Sequence, residues 1–115
     1  MEKKIIYKPW GSFEIIETTD SYQIKRLIVK PDQMLSLQYH HYRSEHWTVV
    51  KGIATCQVGE DIHLLSRNQT LYIPRGANHR LSNETDSDIE LIEIQIGDYL
   101  GEDDIVRIED MYSRE

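Results

Sequence analysis

Eight short runs of β-forming residues follow one another along the chain, and each is closed by a turn signal before it can outgrow an ordinary strand. They are YQIKRLIV (22–29), MLSLQYH (34–40), EHWTVV (45–50), IATCQV (53–58), IHLL (62–65), TLYI (70–73), HRLS (79–82) and IELIEIQI (89–96). Between them stand Pro31-Asp32, Lys51-Gly52, Gly59-Glu60-Asp61, Ser66-Arg67-Asn68, Pro74-Arg75-Gly76 and the polar stretch from Asn83 to Asp88. Short strands at regular intervals with hairpin-length connections predict an all-β sandwich or barrel rather than βαβ units. One domain over residues 1–115 is expected, since no repeat, linker or low-complexity segment interrupts the pattern. The tail GEDDIVRIEDMY alone reads as a short helix, with acidic residues at the end where the macrodipole favours them.

Composition narrows the class of partner. A chain of 115 residues, 39% hydrophobic and 29% charged, can bury a core without staples. It has no apolar run of membrane-spanning length, and MEKKIIYKPW lacks a signal peptide's apolar region. A single cysteine, Cys56, cannot form an internal disulfide, so a cytoplasmic location is expected. Its setting in IATCQV reads as that of a small buried hydrophobe rather than a reactive thiol. A net charge of −7 argues against nucleic acid or a membrane surface as partner. A small phosphorylated ligand needs only a few well-placed cations.

The stretch LQYHHYRSEHW (37–47) concentrates three histidines, a glutamate, a glutamine and an arginine. Strand side chains alternate between faces, so Ser36, Gln38 and His40 look one way while Leu35, Leu37, Tyr39 and His41 look the other. HYRS bends the chain, after which Glu45, Trp47 and Val49 share a face opposite His46, Thr48 and Val50. Gln38, His40 and Glu45 can therefore converge from two neighbouring strands. His79, which opens a strand after the Pro74 and Gly76 turn, is a fourth candidate. The spacing does not match a helical H-E-x-x-H metal motif. Trp10 and Trp47 read as core or wall aromatics, and His63, outside these segments, as an exposed strand residue.

These two segments resemble the paired motifs of the cupin superfamily, G-x5-H-x-H-x3,4-E-x6-G and G-x5-P-x-G-x2-H-x3-N. His40, Glu45 and Gly52 match the first; Pro74, Gly76, His79 and Asn83 match the second. Gln38 falls where the first histidine would stand. Asp32 and Asn68 replace the opening glycines, and both residue types tolerate left-handed backbone. KPWGSFEII, LSLQYHHYRSEHWTVVKG, YIPRGANHRLSN and LIEIQIGDYLGEDDIVRIEDMY further resemble successive blocks of the type II mannose-6-phosphate isomerase domain. That domain is usually the C-terminal half of enzymes whose N-terminal half is a mannose-1-phosphate guanylyltransferase, and it carries Gln at the Gln38 position. Lys8 stands where an arginine is common before PWG, and Ser113 where the tail usually has glycine. The resemblance implies a cupin jelly roll, here free-standing and without guanylyltransferase activity, since no segment corresponds to that half.

The function so implied is metal-dependent interconversion of mannose 6-phosphate and fructose 6-phosphate. Gln38, His40, Glu45 and His79 would hold a divalent ion; a mixed N/O set suits Zn²⁺, with Mn²⁺, Co²⁺ or Fe²⁺ as alternatives. Arg43 resembles the family's motif arginine implicated in isomerase activity, as a catalytic group or a phosphate ligand. The general base stays open among Glu93, His41 and His46. Lys25 and Arg80, with Arg26 and Arg75, are further phosphate candidates, although each taken alone reads as an ordinary surface charge. The competing reading is a non-catalytic cupin that binds a sugar or sugar phosphate, because a fold does not fix a function. A homodimer is expected, pairing KKIIYKPW and IELIEIQI across a two-fold to cover sheet edges.

Overall fold

The computed structural model describes residues 4–110, and within them every regular element is a strand. In chain order these are β1 (Ile5–Lys8), β2 (Gly11–Thr18), β3 (Tyr22–Val29), β4 (Leu37–Tyr39), β5 (Arg43–Lys51) and β6 (Ala54–Val58). They continue with β7 (Asp61–Leu65), β8 (Thr70–Ile73), β9 (His79–Ser82), β10 (Ile89–Gly97) and β11 (Val106–Glu109). Two antiparallel sheets result, one in the order β1-β2-β3-β10-β5-β8 and the other β11-β4-β9-β6-β7. All-β architecture is thus as the sequence pattern predicts.

Three expectations are corrected. The tail holds no helix among the described residues: 102–103 form a turn and Val106–Glu109 pairs with β4 (residues 111–112 of the expected helix lie outside the described part). The sequence pattern also passed over β1 and β2, and in β2 a register shift between Ile15 and Glu17 throws the alternation out of phase. Finally, β10 cannot pair across a two-fold. It is an interior strand, bonded to β3 on one side and β5 on the other.

Turn chemistry follows the sequence closely. Asp32 and Asn68 have φ of 61° and 77°, the left-handed conformation their replacement of motif glycines requires. Gly76, at φ 83°, makes the turn that leads into β9, and its N–H donates to the His40 carbonyl at 3.0 Å. Gly11 meets a different demand, because a side chain there would collide with the Ile28 backbone oxygen across the ladder.

The interior between the sheets is divided along the strands. Toward one end of β3 and β10, Leu27, Val29, Ile89 and Leu91 are buried; toward the other, the same inward alternation carries Gln23, Lys25, Glu93 and Gln95. β5 and β9 repeat the division, with Trp47, Val49 and Leu81 on the apolar side and Arg43, Glu45 and His79 on the polar side. The apolar half, completed by Ala54, Cys56, Leu65 and Ile73, is the core. Cys56 is fully buried and its thiol is pushed up to about 12 by that burial, which suits a packing role. The polar half, held open by the same strands, is where chemistry is concentrated.

Candidate metal centre and substrate cavity

Short-range order at the polar end begins with β4 and β9. Gln38 and His79 are directly opposite one another in the ladder, so their side chains leave the same face. His40 follows one alternation after Gln38, and Glu45 enters from β5 after the turn at residues 41–42. His40, Glu45 and His79 are each 3% exposed or less, and they bring one donor atom apiece to within 4.8 Å of one another. His40 Nε2 lies 3.2 Å from Glu45 Oε2, and His79 Nε2 lies 3.9 Å from Glu45 Oε1.

The histidines are oriented from behind. The Asp104 carbonyl is 2.6 Å from His40 Nδ1 and the Ala77 carbonyl 3.0 Å from His79 Nδ1. A carbonyl can only accept, so each Nδ1 donates, and each Nε2, on the Glu45 side of its ring, is the nitrogen left to meet an ion. Such outer partners are what metal-binding imidazoles ordinarily have. His79 Nε2 is buried and has no hydrogen-bond partner among the described residues. A buried lone pair left without a donor is costly, and a divalent ion would satisfy it.

Electrostatics keep the set in the metal-ready protonation state. Burial alone would raise Glu45, but the hydrogen bond from His40 and the charges of His79, Arg43 and His40 outweigh it and hold the carboxyl well below its ordinary value. His79 is lowered, chiefly by burial, so its ring is neutral near pH 7. Two imidazole nitrogens, a carboxylate and the nearby Gln38 amide therefore fit a divalent cation.

Arg43 complicates the site. Its Nε donates to Glu45 Oε2 at 2.9 Å and its Nη2 stands 3.2 Å from His40 Nε2, while Nη1 is buried without a partner. The lone pair on His40 Nε2 cannot serve both a guanidinium and a metal. The arginine thus fills part of the coordination set, and an ion held by His40 would require it to withdraw.

In front of Arg43 and Glu45 opens a cavity of about 390 Å³, large enough for a hexose phosphate. Gln38, Lys25 and Glu93 line it beside an apolar wall of Trp10, Phe13, Leu27 and Leu35; His40 and His79 lie outside that lining. Glu93 is pushed up to about 8, first by burial and then by the charge of Glu45, with Lys25 and Arg43 opposing. Trp47 Nε1 donates both to Glu45 Oε1 at 2.9 Å and to Glu93 Oε1 at 3.1 Å, tying the two carboxyl groups together. Gln95 donates to Glu93 Oε2 at 2.7 Å and itself accepts from Gln23.

Other candidates go elsewhere. His46 belongs to the outward set of β5 and packs on Tyr72 at 5.0 Å between ring centroids, so it does not meet the cavity. His41 is exposed beside Tyr39 and Tyr42. Arg80 spends its guanidinium on the Leu35 carbonyl and on Glu109, outside the cavity lining. Arg26 pairs with Glu90, and Arg75 sits in an exposed turn. His63 is half-buried rather than exposed, and Asn83 is structural, donating to the Val29 and Ser87 carbonyls.

Sequence reasoning missed Asp104. Its carboxylate accepts from the His41 and Tyr42 backbone N–H groups at 2.8 and 2.9 Å while its carbonyl holds His40. Reading the acidic run as a helix start concealed this. A signal existed all the same, since Asp is a strong acceptor for the consecutive N–H groups of a tight turn.

The chain is 53% identical over 109 residues to the xanthan biosynthesis protein XanB of Xanthomonas campestris, and 49% identical over the same length to a mannose-1-phosphate guanylyltransferase of Escherichia coli. Each match covers 95% of this chain but only 23% of the relative, so the chain spans about a quarter of those proteins. Among solved structures, the capsular polysaccharide assembling protein CapF of Staphylococcus aureus superimposes with a TM-score of 0.79 at 23% identity, over 94% of this chain and 34% of that one. A cupin-superfamily sugar phosphate isomerase from Silicibacter pomeroyi gives 0.69 at 17% identity, over 76% and 59%. At such identities these likenesses show the fold, a cupin double-stranded β-helix. The family model described as mannose-6-phosphate isomerase C-terminal matches residues 1–110, and the chain belongs to that family.

Proposed function

We propose that this chain is a metal-dependent aldose–ketose isomerase that interconverts mannose 6-phosphate and fructose 6-phosphate. The observation that carries the reading is Glu93, a buried carboxyl group tied through Trp47 to Glu45 and lining the same cavity as Glu45 and Arg43. Family membership supports the substrate. His40, His79, Glu45 and Gln38 would hold the ion; Zn²⁺ suits them best, and Mn²⁺, Co²⁺ or Fe²⁺ share the ligand preference. When bound, a divalent ion supplies the Lewis-acid charge that makes an enediolate accessible.

The chain's own residues do the rest. Glu93 takes the proton that leaves C2 of the aldose and returns it to C1, while a hydroxyl proton passes from O2 to O1. Glu93 lines the cavity and is tied through Trp47 to Glu45, so its carboxyl group can carry one proton between neighbouring carbons. Arg43 donates to the oxygen on which negative charge develops. The apolar wall excludes water from the exposed carbanionic carbon.

The test combines elemental analysis with an isomerase assay on mannose 6-phosphate. Protein loaded with a divalent metal should isomerise it, lose activity on chelation and recover on re-addition. His40→Ala together with His79→Ala should lose both metal and activity. Metal-loaded protein that binds mannose 6-phosphate without isomerising it would instead be a sugar phosphate-binding module.

A further inference from the structure

Four of the chain's 13 lysines and arginines line one cavity: Lys8, Lys25, Arg43 and Arg107. Arg43 lies at the buried end against Glu45. The surroundings of the other three differ sharply. Lys25 is nearly buried at 6% exposure, whereas Lys8 and Arg107 are exposed. Lys25 Nζ lies 4.5 Å from the Phe13 ring centroid and Lys8 Nζ 5.9 Å from the same centroid, so two ammonium groups flank one ring. Arg107 joins them from β11, where it is the ladder partner of Gln38.

What neutralises Lys25 is informative. Its Nζ donates to Glu102 Oε1 at 2.6 Å, yet the Glu102 side chain is 59% exposed. The cation is the fixed member of this pair and the carboxylate the exchangeable one, because an exposed glutamate holding a surface geometry gains little net free energy. Glu102 also stands on the turn just before Asp104, whose anchorage at His40, His41 and Tyr42 does not depend on it. The carboxylate can therefore swing out without loosening the metal-ligand strand.

We propose that the mouth of the cavity is a phosphate monoester site formed by Lys8, Lys25 and Arg107, with the Glu102 carboxylate as the resident anion that phosphate displaces. A phosphate monoester brings nearly two negative charges and three acceptor oxygens where Glu102 offers one charge, so it outcompetes the carboxylate for the cations that line this cavity. The division of labour follows from position. Carbons that react sit by Glu93 and Glu45, and the phosphate at the far end of the same sugar reaches the exposed mouth. This rests on the isomerase reading and assigns its phosphate recognition to residues other than Arg43 and Arg80.

Exposed positions allow the test without disturbing the core. Inorganic phosphate binding to the metal-loaded protein is measured by calorimetry, and kcat/KM by the isomerase assay. Lys8→Met with Arg107→Gln should weaken inorganic phosphate and lower kcat/KM for mannose 6-phosphate by roughly tenfold or more, at equal metal content. Glu102→Gln should do the opposite, tightening inorganic phosphate roughly threefold. Phosphate affinity at the parent value in all of these variants would overturn the site while leaving isomerase activity to stand. Protein that responds as stated to inorganic phosphate yet never isomerises mannose 6-phosphate would keep the site and remove the isomerase reading.

Discussion

Replacing Glu93 by Gln should abolish a specific fall in stability between pH 6.5 and 8 in the metal-free protein. Folded Glu93 titrates at about 8 against an ordinary 4.5, so over that window the native state holds a proton that the unfolded chain has released. Unfolding then releases a proton, and stability decreases as pH rises toward the folded value. Other shifted groups do not interfere. Glu45 is lowered from 4.5, so its contribution rises with pH and is complete by pH 6.5. His79 is lowered from 6.5, so its contribution still rises slightly above pH 6.5, but equally in parent and variant, and the comparison of the two cancels it. Cys56 acts only above its ordinary value of 9, and Tyr22 and Tyr99 above 10. Integrating one proton from pH 6.5 to a midpoint near 8 gives a loss of between about 1 and 2 kcal/mol. The amide keeps the shape of the side chain but can accept from only one of Trp47 Nε1 and Gln95 Nε2. The variant should therefore start lower by about 1 kcal/mol and stay flat. Urea unfolding followed by tryptophan fluorescence, with chelator present across this pH range, reads both slopes. A parent protein as flat as the variant, or a variant that falls as steeply as the parent, would refute the assignment of a raised pKa to Glu93.

Two further outcomes concern Arg43 and assembly. Because its guanidinium contacts both Glu45 Oε2 and His40 Nε2, Arg43→Gln should bind a divalent metal at least as tightly as the parent while turnover of mannose 6-phosphate drops about a hundredfold. Weaker metal binding in a titration against a competing chelator would mean that the arginine supports the ligand set instead of competing with the ion. We also propose a homodimer, now through the outer face of the six-stranded sheet, where Ile24, Ile94, His46 and Tyr72 form one cross-strand row. Light scattering should give twice the chain mass at micromolar concentration, and Ile94→Lys should halve it; a monomeric parent removes the proposal.

That outer row explains why the sequence was readable in one respect and misleading in another. Period-two alternation identifies which residues share a face, and it correctly groups Glu45 with Trp47 and Val49, and separates His46 from them. It cannot say which face is inside. Along β10 the inward positions run Ile89, Leu91, Glu93, Gln95 while the outward ones include Ile92, Ile94 and Ile96, so hydrophobicity alone points the wrong way over half the strand. His46 is a candidate base only through its closeness in sequence to the ligands, and its outward orientation is fixed by long-range register with Tyr72 and Ile94. Local backbone chemistry was more legible. Asp32 and Asn68 signal their left-handed turns without any tertiary information, because the conformation is a property of the residue itself. The acidic run from Glu102 to Asp104 lies between these cases. Its charges fit a helix start locally, but Asp104 satisfies the turn that carries His41 and Tyr42, and Glu102 meets Lys25 from β3. Those bonds join residues more than sixty positions apart, and they settle the segment as a turn beside the cavity that leads into β11. The polarity inversion inside β3 and β10 fits the proposed function as well. A chamber that handles charged oxygens needs polar side chains turned inward, and alternation then turns the apolar ones outward.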